Sequence, residues 1–152
     1  MKVLVFHIGR ERFALPLALV TRVLPVAQLA RLPLAPDYVA GLLDLHGEPV
    51  PVVDLSRLAG HTPDAVRYDT RFLLVDYPAP GGAMKKLALK AERVSGVETL
   101  DEARLAPSGV AAAPFLGVVA SSERGMLQLV DIDALLPEHV RALLFQPEGE
   151  AA

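Results

Sequence analysis

The chain opens with an apolar run that is typical of a buried strand. Val3 to Ile8 is apolar except for His7, and such runs occur where both faces of a strand are covered. Gly9 to Glu11 then predicts a turn, and Arg12 to Leu15 predicts a returning strand. The pattern therefore indicates an N-terminal hairpin.

A different spacing follows the hairpin. Leu17, Val20 and Leu24 lie three and four residues apart, which predicts a short helix. Pro25 ends that helix because proline cannot donate the next backbone hydrogen bond. The proline-rich stretch from Ala30 to Pro36 is predicted to be extended.

A second hairpin is predicted around a His46-Gly47 turn. Leu42 to Leu45 forms its first strand and Glu48 to Val53 its second, because glycine accepts the positive φ that such a turn needs. Pro49 and Pro51 remove alternate N–H donors from the second strand. This strand is therefore predicted to lie at an edge or to face a partner.

A helix cap and a change of pattern follow this hairpin. Asp54 is predicted to cap a helix over Leu55 to Ala59, and Gly60 to end it. Residues 61–70 are polar and turn-like, and they are predicted to separate two lobes of a single domain that covers residues 1–152. The predicted later strands are Arg71–Tyr77, Lys86–Ala91, Arg93–Val97, Leu116–Ala120 and Met126–Val130. A closing helix begins near Pro137, with an apolar stripe at Leu136, Val140, Leu143 and Leu144.

Composition agrees with a globular, mostly β fold. The 152 residues are 52% hydrophobic and 22% charged, with 13 prolines and 11 glycines that favour short strands and turns. The net charge of −3 argues against a nucleic-acid binder. The adjacent basic residues Lys85 and Lys86 are interpreted as part of a solvated loop.

The sequence predicts no catalytic, cofactor or metal site. Cysteine is absent and the four histidines share no close metal-ligand spacing. Asp44, Glu48 and Asp54 flank the second hairpin and keep open a small hydrolase that uses them. A ligand-binding β-barrel is the other open alternative.

A resemblance to a known family begins at Gly41. The run Gly41-Leu42-Leu43-Asp44-Leu45-His46-Gly47, with a following strand that ends Pro51-Val52-Val53-Asp54-Leu55, resembles the central motif of the CheW family of chemosensory coupling proteins. In that family the motif reads Asn-Leu-Arg-Gly and then Pro-Val-hydrophobic-Asp-Leu. Further segments match in order at Phe6–Leu15, Leu32–Pro36, Glu92–Val97 and Gly125–Ile132, so the likeness covers almost the whole chain.

The resemblance implies a fold and a role. The implied fold is two small five-stranded SH3-like barrels that share a hydrophobic seam, with short helices and a C-terminal helix. The implied role is a non-catalytic adaptor that couples the cytoplasmic tips of methyl-accepting chemoreceptors to the regulatory domain of a CheA-type histidine kinase. Such a protein would work in the cytoplasm, at membrane-associated receptor arrays, without nucleic acid or membrane insertion.

The resemblance also implies a contact surface and a branch. Its implied partner-binding residues are Val20, Arg22, Val23, His46, Gly47, Pro49, Val94 and Val97. Two of them depart from the family pattern, because His46 stands where the family has arginine and Arg22 where it often has an acid. The runs Ala113–Gly117 and Arg141–Phe145 resemble the surface-sensing, Wsp-type branch, whose output is a diguanylate cyclase.

Overall fold

Ten strands and two short helices follow one another in the computed structural model, which describes residues 1–109, 114–122 and 124–145. The strands are β1 (Lys2–Ile8), β2 (Glu11–Pro16), β3 (Val20–Pro25), β4 (Val39–Leu45), β5 (Glu48–Asp54), β6 (Arg71–Pro78), β7 (Met84–Thr99), β8 (Leu105–Pro107), β9 (Val118–Ser122) and β10 (Gly125–Leu129). The helices are α1 (Leu55–Leu58) and α2 (Glu138–Leu144). Single 3-10 turns lie at Leu17–Leu19, Glu102–Arg104, Pro114–Leu116 and Ile132–Ala134.

The strands form two sheets that share β7. The first sheet has the order β8-β9-β10-β2-β1 and ends on the second half of β7, where Val97 pairs with Leu4. The second has the order β3-β6-β7-β5-β4, in which Leu89 of β7 pairs with Leu73 on one side and with Val53 on the other. The mostly β fold with two small barrels is thus confirmed, the first barrel being extended by the three-residue β8.

Three buried apolar clusters correspond to the two lobes and the seam between them. In β1, Val3 and Val5 contribute to the interior of the first lobe, whereas Leu4 and Phe6 contribute to the seam. Alternate residues of a strand point to opposite faces, so β1 is buried on both sides, as its apolar run predicts. The interior of the second lobe is filled by Leu43, Val50, Val52, Phe72, Leu74 and Ala88.

The helix predicted over residues 17–24 is wrong. Only Leu17–Leu19 forms a helical turn, and Val20 already begins β3. The β-branched residues Val20, Thr21 and Val23 favour an extended chain, and β3 gains its ladder from β6. The Thr21 hydroxyl donates to the carbonyl oxygen of Leu74 at 3.0 Å, beside a register shift in that ladder.

The two strands predicted at 86–91 and 93–97 are one continuous strand. β7 bends within its length, because Arg93 and Gly96 have φ values of 48° and 126°. At this bend β7 leaves the second sheet and enters the first. Lys85 and Lys86 belong to β7, so their interpretation as loop residues is wrong.

The segment 61–70 connects two elements of the same sheet. It contains no strand or helix and joins α1 to β6, while β5 before it pairs in the sheet that contains β6. The chain changes sheet instead at Leu17–Leu19 and inside β7. The predicted division near 61–70 therefore differs from the division between the sheets.

The C-terminal helix packs with only part of its predicted stripe. Leu136 and Val140 are buried, whereas Leu143 is 57% exposed. Pro137 lies directly before α2, where its missing N–H is tolerated.

Ala113, Glu123 and residues 146–152 lie outside the described residues, so the first residue of the run at 113–117 and part of the last predicted turn are not described.

Candidate functional site

The tip of the β4–β5 hairpin has the turn that the sequence predicts. His46 and Gly47 have φ values of 53° and 88°, as the two central residues of a type I′ turn do. The Gly47 N–H donates to the Asp44 carboxylate at 2.7 Å, and this hydrogen bond stabilises the turn. His46 therefore sits at the outermost point of the hairpin, on a backbone that its neighbours hold.

Arg22 and His46 line the same cleft. This cleft, here called the mouth cleft, has a volume of about 530 Å³ and lies where β3 faces the hairpin tip. Its lining residues are Thr21, Arg22, Leu45, His46, Glu48, Leu74 and Lys86. Leu74 also belongs to the filled interior of the second lobe, so the cleft has an apolar floor and polar walls. The structure thus brings together the two positions that depart from the family pattern.

A second cleft, here called the proline groove, lies between β5 and the C-terminal helix. Its volume is about 440 Å³. Its lining residues are Leu32, Leu42, Glu48, Pro49, Pro51, Lys85, Lys86, Leu143, Leu144 and Phe145. Pro49, a predicted contact residue, therefore faces a groove whose other wall comes from α2.

Glu48 and Lys86 line both clefts and bind each other. The Lys86 ammonium donates to the Glu48 carboxylate at 2.7 Å, and both side chains remain about half exposed. Lys86 is not among the predicted contact residues, because β5 lies beside it through a parallel pairing with β7 that no local sequence pattern reveals. The opposite charges of Glu48 and Lys86 are the one indication of this contact that the sequence contains.

The remaining predicted contact residues lie apart from the two clefts. Val94 and Val97 are in the second half of β7, in the first sheet, where Val94 packs on the seam and Val97 is 51% exposed. Val20 also packs on the seam, and Val23 is 46% exposed on β3. None of these four valines lines the mouth cleft or the proline groove.

The three acids of the hydrolase alternative do not converge. Asp54 is buried at the far end of β5, about 20 Å from Glu48 for a strand of this length. Its carboxylate caps α1 by accepting from the N–H groups of Ser56 and Arg57 at 3.0 and 3.4 Å, as predicted. With Asp44 held by the turn and Glu48 by Lys86, each acid has a structural partner.

The ligand-binding alternative does not fit the packing inside the described lobes. The inside of each lobe is filled by its own apolar cluster, whereas a ligand-binding barrel needs an open cavity. Across residues 1–109, 114–122 and 124–145, no group of three potential metal ligands comes together.

A polar cavity of about 510 Å³ was not anticipated from the sequence. It lies where the β1–β2 turn, the 61–64 segment and the bend of β7 meet. Buried Glu92 accepts from the Ser56 hydroxyl and, at 3.1 Å, from the Asp64 N–H. Arg93 donates to the Gly9 carbonyl and to the Asp64 carboxylate, each at 3.1 Å.

Neighbouring groups favour the ionised form of the Asp64 carboxyl. The Ala65 N–H, followed by the charges of Arg67 and Arg93, lowers the pKa of the Asp64 carboxyl. Because its acids are already hydrogen-bonded or ion-paired, this cavity is best understood as a polar junction that ties the second lobe to the first.

The described part of the chain contains no helix that is long and apolar enough to cross a membrane.

Comparison with known proteins identifies the family. Residues 2–140 match the CheW-like domain. The chain is 27% identical over 146 residues to a chemotaxis protein CheW of Klebsiella aerogenes, covering 93% of this chain and 84% of that protein. It is 25% identical over 145 residues to a chemotaxis protein CheW of Rhizobium meliloti, covering 92% of this chain and 90% of that protein.

A solved structure agrees with the fold. The scaffolding protein TtCheW from Thermoanaerobacter tengcongensis superimposes with a TM-score of 0.77 at 24% sequence identity, over 88% of this chain and 90% of that one. The fold and the matched domain together define a chemotaxis coupling adaptor. The chain belongs to the CheW-like family.

Proposed function

We propose that this protein couples the cytoplasmic tips of methyl-accepting chemoreceptors to the regulatory domain of a CheA-type histidine kinase, without catalysis of its own. The observation that carries this proposal is the match of residues 2–140 to the CheW-like domain. The protein would work in the cytoplasm, where the receptor tips and the kinase form membrane-associated arrays.

The surface chemistry supports a binding role. The mouth cleft and the proline groove both combine apolar walls with exposed charges, as the contact surfaces of transient complexes do. The acids are engaged in a cap, a turn and an ion pair. Recognition by surfaces therefore explains these residues better than acid–base chemistry does.

The contact residues of this proposal fall into two groups. Arg22, His46, Gly47 and Pro49 lie on the second lobe around the two clefts. Val94 and Val97, together with Val20 and Val23 of β3, provide partly exposed apolar side chains. The proposed contact residues thus lie in both sheets, with Val94 and Val97 in the first and the others in or beside the second.

The direct test is calorimetric titration of the purified protein with two partners from the same organism. The first is the regulatory domain of the kinase, and the second is the isolated cytoplasmic tip of a receptor. We expect measurable binding of each, and an increase in kinase autophosphorylation only when all three components are present. If the folded protein binds neither partner, the proposal is overturned.

A second measurement addresses the absence of catalysis. The protein is incubated with labelled ATP, and then with the labelled phosphorylated kinase. We expect neither ATP hydrolysis nor stable transfer of phosphate to the adaptor. Stable labelling of the adaptor would contradict a purely coupling role.

A further inference from the structure

We propose that Arg93 fixes the angle between the two lobes, and that coupling depends on this fixed angle. The guanidinium of Arg93 contacts both lobes from a backbone conformation that few residues other than glycine adopt. The dependence of coupling on the angle rests on the proposed function, whereas the angle itself is a property of the isolated chain.

β7 contains two extra residues at the point where it changes sheet. Val5 and His7 of β1 are two residues apart. Their partners on β7, Gly96 and Glu92, are four residues apart. Such a bulge bends a strand and takes backbone groups out of the ladder. Arg93 lies inside this bulge, so the angle between the two sheets is set at this residue and its neighbours.

The backbone of the bulge is hydrogen-bonded from both lobes. From the first sheet, the His7 Nδ1 donates to the Arg93 carbonyl oxygen at 3.0 Å. Toward the second sheet, the Val94 N–H donates to the carbonyl oxygen of Asp69, in the segment that leads to β6, at 2.9 Å. These bonds replace the ladder partners that the bulge removes.

The Arg93 side chain also contacts both lobes. One of its Nη atoms donates to the Gly9 carbonyl oxygen, in the β1–β2 turn of the first lobe. The other donates to the Asp64 carboxylate, in the segment that joins α1 to β6 of the second lobe. Both distances are 3.1 Å. These three residues are here called the Arg93 clamp, and the planar guanidinium gives its two bonds a fixed relative direction.

The apolar seam alone does not define an angle between the lobes. Its contacts, such as those of Phe6 in β1 and Leu89 in β7, come from apolar burial, which has no preferred direction. Packed elements can slide past each other in shear motions. Hydrogen bonds, by contrast, weaken steeply when they are misaligned. The Arg93 clamp therefore supplies a direction that the seam lacks.

Arg93 adopts an unfavourable backbone conformation without a large gain in stability. Its φ of 48° lies in the left-handed region, where a Cβ crowds the backbone. The side chains of Arg93 and Asp64 are 44% and 38% exposed, and ion pairs with this exposure contribute little net stability. Backbone strain of this kind persists where the surrounding structure imposes it, often at functional positions. Orientation of the lobes fits Arg93 better than stabilisation of the fold.

The first experiment measures the distance between the lobes by pulsed dipolar electron spin resonance. The sequence contains no cysteine, so spin labels attach only at Asp76→Cys on β6 and Met126→Cys on β10, both at exposed positions. In this background Arg93→Asn removes the clamp, because asparagine tolerates the left-handed region but is too short to bridge the lobes. We expect the distance distribution to widen. Arg67→Asn is the matched control, because Arg67 also pairs with Asp64, at 3.4 Å, but within the same segment, and it should leave the distribution unchanged.

The second experiment separates orientation from stability. Arg93→Asn should leave the midpoint of thermal unfolding unchanged or raise it, because the backbone strain is relieved. Kinase activation in arrays reconstituted with receptor and kinase should nevertheless fall by about two- to tenfold. Arg93→Lys should restore part of the activation, since lysine keeps the charge but lacks the fork of donors. Arg67→Asn should activate the kinase like the wild type.

Each outcome has a distinct meaning. Equal distance distributions for Arg93→Asn and the wild type overturn the role of the clamp, whether or not the midpoint of unfolding falls. A wider distribution with full kinase activation overturns the dependence of coupling on the angle. Wild-type protein that does not activate the kinase overturns the proposed function and that dependence together, and the distance measurement still decides whether Arg93 fixes the angle.

Discussion

The hydroxyl of Tyr77 accepts a hydrogen bond from the backbone N–H of Leu136 at 3.0 Å. The ring of Tyr77 is fully buried and packs against Phe145, with 6.1 Å between the ring centroids. The Arg141 guanidinium lies 5.2 Å from the same ring. A side chain of β6 thus holds both ends of α2 onto the seam.

Tyr77→Phe should destabilise the fold by about 1–3 kcal/mol, because the Leu136 N–H would be left buried without its acceptor. The measurement is unfolding by urea, followed by far-ultraviolet circular dichroism. Tyr68→Phe removes the same hydroxyl from a residue that is 87% exposed and should change stability little. Equal effects of the two substitutions would contradict the role given to the buried bond.

The same phenol should make stability sensitive to alkaline pH. Burial raises the pKa of Tyr77, and the Leu136 N–H and the Arg141 charge offset only part of that increase. The neutral phenol is therefore favoured in the folded protein. Its contribution to stability is complete below the ordinary tyrosine pKa of about 10 and is lost as the pH rises toward the higher folded pKa.

This pH dependence can be isolated by mutation. Urea midpoints measured from pH 8 upward should fall more steeply for the wild type than for Tyr77→Phe once the pH passes about 10. Tyr38, whose pKa is raised by burial and then by the Asp37 charge, remains in both proteins and cancels in the comparison. Parallel curves for the two proteins would argue against Tyr77 as a source of the loss.

Asp54→Ala should cost about 1–2 kcal/mol of stability, because α1 would lose the acceptor for its first N–H groups. Asp54→Ser should recover most of the loss, since serine is also a good N-cap residue. Asp101→Ala, at an exposed 3-10 turn with a similar cap, serves as the matched control and should cost less. Thermal or urea unfolding of all three variants tests whether Asp54 stabilises the fold as the cap of α1.

The pair His46 and Arg22 should influence the choice of partner. We expect His46→Arg combined with Arg22→Glu to weaken coupling to this protein's own receptor and to improve coupling to a general chemotaxis receptor. The expected size is about 1–2 kcal/mol for the pair, because charges at the rim of an interface are individually weak. Kinase activation in reconstituted arrays with each receptor is the measurement. An unchanged preference in a folded double variant would indicate that the two positions have drifted without effect.

Local features of the sequence predicted the local features of the structure. The His46-Gly47 turn and the Asp54 cap depend on residues within a few positions of each other. The both-sided burial of β1 follows from its apolar run, Val3 to Ile8, in which His7 is the one polar residue. Such features require no knowledge of the distant parts of the chain.

The errors have a common physical cause in pairing between distant segments. Leu17, Val20 and Leu24 show a helical spacing, yet β3 begins at Val20 because β6 offers a ladder about fifty residues away, where Val23 pairs with Leu73. Lys86 likewise gained its place beside Glu48 through the β5–β7 pairing. The candidate site was therefore predicted as separate residues, and the meeting of Arg22 with His46 could not be read from their spacing.

The shared strand and the mixed origin of the first lobe impose an order on folding during synthesis. β1 and β2 leave the ribosome first, but β10, which pairs in parallel with β2, comes from near the other end of the chain. The strands of the second lobe are contiguous from β3 to β7 and can close earlier. The N-terminal hairpin therefore waits with an unpaired edge and with apolar side chains such as Val3 and Val5, which β10 later covers, exposed. Segments in that condition are the ones that aggregate or bind chaperones, so the nascent first lobe is where this protein would need protection.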